Sequence, residues 1–530
     1  MTERRREVRE SIVRYLARSL RSSFKEVWSY NLGKVSVLII GFMVLASIYS
    51  LLSLPPDFPQ IWKATDRPPW TLNPKQGYPV WVKYLGVPVA ETVSYEKVRL
   101  QEARIVVPRD PRDCPPRDLD RVLPEFNKSL GLKPSCPLGY TEVYRVSYTL
   151  AGEVFPQDVV IVLKAMASEK VNLTSVSVIP MVFTTRPDGV TLYTFEGKYT
   201  LERLVAGIEI KMRCDLFAPR YIEYYRLNTT VDSLCTLLNR PIFGEPLDAR
   251  ASGFKPITGE YQVTLALLYT GVAPRDIEGL IRNGDVSVSP SIRVIGNSYG
   301  LLGTDTKGRD LFQGLLYGFP VALIIGLSVA FAVVAIGLVL GVISGYFGGR
   351  VDEVIQRLVD VIVNIPLLPL LVLVGVAIQT GGWTGWPALT IIMAVLVAFS
   401  WGGVTIIVRS MTLSIKAEPY IEAAKALGAS TWRIVFRHII PQIVPYATAV
   451  LVFSVPGAII AEAGLSVLGI DHGLPTWGRI LADAQAERGV AYAMWWWVLP
   501  PGLMLGLFSF AFVALGFTLE TIVEPRLRRR

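Results

Sequence analysis

Phe319 to Ser344 reads FPVALIIGLSVAFAVVAIGLVLGVIS, 26 residues without one ionisable side chain. As a helix, such a run spans roughly 39 Å, against a hydrocarbon core of ~30 Å. A buried helix of a soluble core rarely needs a stretch so long and so uniformly apolar. The run therefore predicts a membrane-crossing helix, and comparable runs lie on both sides of it. Val35–Leu54 comes first, Phe319–Ser344 second, then 361–379, 387–408, 443–462 and 496–518, six spans in all. Pro366 and Pro369 make the third the least regular. Pro366, Pro369, Pro456 and Pro500-Pro501 are expected to bend or break their helices.

Composition agrees. Of 530 residues, 51% are hydrophobic and 18% charged, where soluble chains average ~25% charged. The net charge of +9 gathers at the two ends and in short loops rather than in a stripe on a folded domain. This disfavours a nucleic-acid partner and points to orientation signals. Met1–Lys34 holds nine Lys and Arg. The 20 apolar residues after it exceed the ~7–15 of a signal-peptide core, so an uncleaved first helix is expected. Arginines at 4, 5, 6, 9, 14, 18 and 21, and at 526, 528, 529 and 530, put both ends on the cytoplasmic side. Arg350 and Arg357, and the basic 409–441 loop, fall on that side too. The uncharged GGWTGW loop and Trp495–Trp497 mark the other face.

Residues 55–318 are then extracellular. All four cysteines (Cys114, Cys136, Cys214, Cys235) lie there, as do the three Asn-x-Ser/Thr sequons at Asn127, Asn172 and Asn228. Disulfides and glycans both belong outside the cytoplasm. Spacing suggests Cys114–Cys136 and Cys214–Cys235, but four cysteines allow three connectivities. Runs at Thr92–Val107, Glu142–Leu150, Val159–Leu163, Thr174–Phe183, Val190–Phe195 and Val286–Val294 read as strands. Pro187-Asp188-Gly189 and Asn283-Gly284 are turn signals between such runs. Thr200–Arg213 suits an amphipathic helix or a strand equally. The expected organisation is a basic segment 1–34, a first helix 35–54, an inserted β-rich or α+β domain 55–300, and a core 301–530 with five further helices. The insert contains no His and no zinc-ligand spacing. Metal binding is not expected anywhere: His438 reads as a surface residue of the 409–441 loop and His472 as an outer-loop residue.

The 409–441 loop contains Glu418-Pro419-Tyr420-Ile421-Glu422-Ala423-Ala424-Lys425-Ala426-Leu427-Gly428-Ala429-Ser430, then Thr431 to Pro441. It reads as a helix, a glycine break and a second short helix ended by Pro441. Glu422, Ala423 and Ala424 give a helix face of minimal side chains with one charge, suited to docking in a cleft. Gly428 permits a turn that a Cβ would oppose. With Gly428 six residues after Glu422, and Ile439-Ile440-Pro441 behind, this stretch resembles the EAA loop of permease subunits of binding-protein-dependent ABC importers. Four more segments extend the resemblance. They are Leu302–Asp310 (LGTDTKGRD), Gly345–Asp352 (GYFGGRVD), Ala463–Ile470 with Pro475–Gly478, and Trp496 with Pro500-Pro501-Gly502 and Glu524–Arg528. Together they resemble the second permease of dipeptide/oligopeptide importers over about 302–530 and the first span. Two departures stand out. The loop between spans one and two, short in the family, is about 240 residues here, which implies an added task. The family's Asn and Gly-Asp near the end of span six are missing from Phe508–Thr521.

The resemblance implies a type I ABC importer permease fold of six transmembrane helices. It implies a companion permease, two cytoplasmic ATPases and an extracellular solute-binding protein, with Glu422, Ala423, Ala424, Gly428 and Ala429 transmitting the ATPase stroke. The chain has no GxxxxGK[ST] phosphate loop, so ATP and magnesium would be bound by the partners and no catalytic residue is expected here. Candidates for the path are Asn364, Ser400, Trp401 and Ser454, although a serine in a helix often bonds back to its own backbone. Arg357 and Asp360 are close enough in sequence to pair. Di- or oligopeptides are the expected cargo, with oligosaccharides as the alternative. An ion-driven transporter would bury more ionisable residues at mid-membrane, and a membrane-anchored receptor would not need six spans.

Overall fold

The computed structural model describes residues 26–106 and 139–523, apart from Arg67, Lys97, Arg99, Ala151, Glu153, Lys170, Glu196 and 236–239. Cys114, Cys136, Asn127, the terminal arginines and Glu524–Arg528 lie outside the described residues. Contacts divide the chain into two units, Met1–Thr65 with Leu311–Arg530, and Asp66–Asp310.

The first unit is helical. Among the described residues, five helices are long and apolar enough to cross a membrane: Asn31–Ser53, Leu311–Phe347, Trp386–Lys416, Thr431–Val467 and Trp495–Ile522. Between the second and third of these, Gly349–Asn364 and Leu367–Thr380 meet at 76°, with Pro366 at the junction. The expected third span is thus two helices. Pro366 cannot donate the hydrogen bond that would continue the first, and it biases Ile365 to the extended backbone observed there. The other prolines correct the expectation of breaks. Pro456 lies inside Ile440–Val467 and Pro500-Pro501 inside Trp495–Val523, both continuous. Nor does Pro441 end the elbow's second helix. Thr431–Ile434 runs through a π-turn at Val435–Ile439 straight into Ile440–Val467, with Pro441 just past the π-turn.

Glycine spacing explains how two of these helices meet. Gly337, Gly341 and Gly345 form an i, i+4, i+8 stripe on Leu311–Phe347. A Cβ on each would come within 2.6–2.7 Å of Val404, Val408 and Thr412 respectively. Lipid tails are as apolar as the side chains, so close backbone approach through small residues replaces the hydrophobic drive.

The second unit holds twelve strands among its described residues. They are β1 (Val93–Tyr95), β2 (Leu100–Val106), β3 (Gly139–Leu150), β4 (Asp158–Ala167), β5 (Ser177–Thr185), β6 (Thr191–Phe195), β7 (Tyr199–Thr200), β8 (Ile208–Lys211), β9 (Gly244–Pro246), β10 (Phe254–Pro256), β11 (Gly259–Thr270) and β12 (Val286–Ile295). One sheet runs β1-β12-β4-β8 and a larger one β2-β3-β11-β5-β6, with β7 on β5. Alternate residues face a shared core: Tyr144, Val146 and Tyr148 of β3, Val263, Leu265 and Leu267 of β11, Val159, Ile161 and Leu163 of β4, and Ile292 and Val294 of β12. The helix Cys214–Tyr225 adds Phe217 and Tyr221, and its first residue is disulfide-bonded to Cys235. The expected run Thr92–Val107 divides between the two sheets as β1 and β2. Thr200–Arg213 contains both alternatives, a helix at Leu201–Ala206 and then β8. Asn283-Gly284 turns from the helix Pro274–Arg282 into β12 rather than from strand to strand.

Candidate functional site

The elbow begins at Pro419 and its helix runs to Ala426. Proline at the first helical position costs no hydrogen bond and fixes the start. The end is a Schellman closure. Gly428 has φ +78°, its N–H donates to the Lys425 carbonyl at 2.9 Å, and the Ala429 N–H donates to Ala424 at 3.0 Å. Ile421 is buried and anchors the helix, whereas Glu422, Ala423 and Gly428 are exposed and Ala424 and Ala429 half-exposed. Leu427 is 89% exposed and Trp432 70%. Glu422 has no ion-pair partner among the described residues. The result is a protruding turn with an apolar tip, small side chains and one uncommitted charge.

The elbow is braced from behind. Gln442 Nε2 donates to the Tyr420 hydroxyl at 2.5 Å and to the His438 carbonyl at 2.7 Å. Lys416 Nζ reaches the Tyr346 carbonyl at 2.6 Å. Arg409 makes a bidentate pair with Asp352, both contacts at 2.5 Å, and Ser344 bonds the same carboxylate. This gives the Gly345–Asp352 segment a reason: Gly348 and Gly349 take positive φ and swing Asp352 to the arginine that leads into the elbow. The expected Arg357–Asp360 pair does not form. Asp360 instead offers its carbonyl to Asn364 Nδ2 at 2.7 Å.

Of the path candidates, the fold brings two together. Ser400 and Ser454 line one cavity of about 550 Å³ between helices, with Tyr446, Val329, Val450 and Gly457. Ser454 Oγ also donates to its own-helix Val450 carbonyl at 2.8 Å. Trp401 and Asn364 are elsewhere. Trp401 is buried at a helix junction, where its carbonyl accepts from Thr405, and the Asn364 side chain caps its own helix. Tyr446 was not foreseen. Its aromatic ring in an apolar run gives no signal until Ser400 and Ser454 appear beside it.

His472 lies in the loop before the helix Trp477–Ala486 and is buried there. It is 1% exposed, and its Nε2 lies 2.8 Å from Glu462 Oε1. The same oxygen accepts from Thr476 at 2.7 Å and Ser466 at 3.1 Å. His472 Nδ1 lies 3.2 Å from the Leu474 N–H, which leaves Nε2 to face Glu462. The Ala463–Gly478 segment thus folds around a buried carboxylate. Leu302–Asp310 does likewise: Asp305 accepts from the backbone of Lys307 and Arg309 and pairs with the Arg309 guanidinium at 2.5 Å. Burial pushes the Asp305 carboxyl up, with Arg309 opposing. Cys214 and Cys235 are bonded, and Asn172 and Asn228 are exposed.

Residues 337–529 match the model of the binding-protein-dependent transport system inner membrane component. The dipeptide transport system permease protein DppC of Bacillus subtilis is 33% identical over 229 residues, covering 43% of this chain and 69% of the relative. The chain belongs to this permease family. The oligopeptide permease OppC of the same bacterium is 33% identical across 43% of this chain and 72% of its own length. A putative peptide transport system permease of Brucella suis is 32% identical across 51% of this chain and 88% of its own. This member is a multi-pass membrane permease of a binding-protein-dependent ABC importer, with an additional β-rich region in its N-terminal part.

Proposed function

We propose that this permease carries di- or oligopeptides and forms half of the path, in the role of the second permease beside a companion. Two ATPases, which bind ATP and magnesium, sit below the permease pair, one of them docked on the 418–430 elbow, and a solute-binding protein delivers cargo on the opposite side. The observation that carries this reading is the elbow: a Schellman-closed helix whose small face and apolar tip project while Ile421 and the Arg409–Asp352 pair hold its root. Such a rigid lever transmits a push without chemistry of its own. Peptide cargo is supported by what the relatives are named for. Ser400, Tyr446 and Ser454 supply the polar spots of the path. The termini share the elbow's side, and residues 55–318 lie on the other, a placement that the Cys214–Cys235 bond and the exposed sequons favour.

Co-purification with the ATPases, joined to uptake of a labelled peptide into vesicles, tests this. Glu422→Arg or Gly428→Asp should cut ATPase capture and uptake at least tenfold while the variant remains in the membrane. Unchanged capture, or uptake by the chain without any ATPase, would overturn the reading.

A further inference from the structure

We infer that an anionic phospholipid binds beside the root of the elbow, with one acyl chain in an apolar groove and its phosphate on Arg433 and Arg437. The inference concerns the bilayer and not the cargo, and it goes beyond the function proposed above.

Two helix ends form the groove. Leu338, Val342, Tyr346 and Phe347 come from the last turns of Leu311–Phe347, and Trp432 and Phe436 from the start of Thr431–Val467. The space between them is about 390 Å³, within the ~300–1,000 Å³ of small-molecule sites. No charged side chain lines it. Its rim is open, with Phe347 58% and Phe436 60% exposed. In the sequence the groove straddles a boundary. Its first wall ends the apolar run 319–344, and its second precedes the run 443–462. Both walls therefore stand where hydrocarbon gives way to headgroups, the depth at which Trp rings collect.

Charge decides the occupant. Trp432 and Phe436 stack with ring centroids 5.6 Å apart. Residues four apart thus share a face here, even where the helix passes into the π-turn Val435–Ile439. Arg433 and Arg437 have the same spacing and sit one position further round. Their guanidinium groups flank the rings as a pair, within reach of one phosphate. Both residues are exposed, and neither has a carboxylate partner among the described residues. Guanidinium forks match phosphate oxygens, and a basic pocket between spanning helices suits an acidic headgroup. A zwitterionic lipid offers the same chains but adds a cation that the arginines repel. A water-soluble partner would have to bring an acid and also reach hydrocarbon depth. An anionic lipid has phosphate and chain already joined at that depth.

The test uses the full chain in detergent and native mass spectrometry, with phosphatidylglycerol and phosphatidylethanolamine of identical chains. The wild type should retain one phosphatidylglycerol at least tenfold more strongly than phosphatidylethanolamine. Arg433→Gln with Arg437→Gln should abolish that preference. Val339→Trp, which narrows the groove without changing its charge, should weaken phosphatidylglycerol at least tenfold. An unaltered melting midpoint in lipid-free detergent shows that each variant remains folded. Glycerol phosphate, a headgroup without chains, should not displace the lipid at equal concentration. Equal retention of the two lipids by the wild type, or a preference indifferent to the arginine pair or to the filled groove, overturns the inference. Displacement by glycerol phosphate also overturns it, since the site would then hold a free phosphate. So does an arginine variant that keeps the lipid preference but loses capture of the ATPases or of a companion permease, which would assign the surface to a protein.

Discussion

One helix pair of the first unit and the core of the β-rich unit solve the same packing problem with opposite materials. Leu311–Phe347 meets Gly402–Lys416 through Gly337, Gly341 and Gly345, residues with no side chain at all. The β-rich unit is filled by large groups instead, with Tyr221, Tyr261, Tyr269, Phe217 and Phe243 among its fully buried side chains. Surroundings explain the contrast. In water, removing aromatic and aliphatic surface is itself the driving force. In lipid that force is absent, and close van der Waals contact must stand in for it.

The largest effect should come from breaking the glycine stripe. Gly341→Leu places atoms where Val408 and the Thr405 carbonyl already sit, at 2.7 and 2.9 Å from the first added carbon. The helices cannot part locally, so we expect loss of monodisperse protein in detergent, seen by size-exclusion chromatography. A monodisperse, transport-competent Gly341→Leu protein would refute the packing argument. Next comes Leu265→Ala in β11, fully buried in the sandwich core. It should cost about 2–5 kcal/mol and lower the first thermal transition while leaving the helical unit's transition in place. Removing the Cys214–Cys235 bond as a double serine variant releases a loop of 21 residues' separation and should cost about 3 kcal/mol. Reductant should lower the wild type further than the variant, which keeps only Cys114 and Cys136.

The smallest effect concerns Glu142, a carboxyl buried in the β-rich unit that accepts from Tyr269 at 2.6 Å and Tyr144 at 3.0 Å. Burial raises its pKa above the ordinary 4.5, and the two phenols only partly oppose this. The folded state therefore holds the proton more tightly than the unfolded chain. Its contribution is fully present below the ordinary value and is lost as pH rises through the raised one. Glu142→Gln should raise the melting midpoint at pH 7 and lose that advantage near pH 4. A midpoint difference independent of pH would show that the carboxyl is not coupled to folding.

Much of this was legible beforehand, for identifiable reasons. Phe319–Ser344 cannot be anything short of a spanning helix, because length and uniform apolarity need no context. Gly428 was legible because a Schellman closure requires positive φ at one position. β11 was not. Leu265–Tyr269 runs apolar without alternation, since Ala266 and Leu268 are buried on the second face as fully as Leu265 and Leu267 on the first. A central strand of this kind cannot be told from a helix by period alone. The Asp352–Arg409 pair, 57 residues apart, had no local signal, and the nearer Arg357–Asp360 pairing suggested by sequence did not form.

By itself, then, the sequence determined the spanning segments, the elbow and most strands, all properties of a chain's own periodicity and backbone freedom. Only the tertiary structure decided that His472 is buried on Glu462, and that Ser400 and Ser454 share a cavity while Trp401 and Asn364 do not. Each of these depends on residues distant in the chain arriving at one place, and the cost or gain of a polar group is set by what surrounds it there.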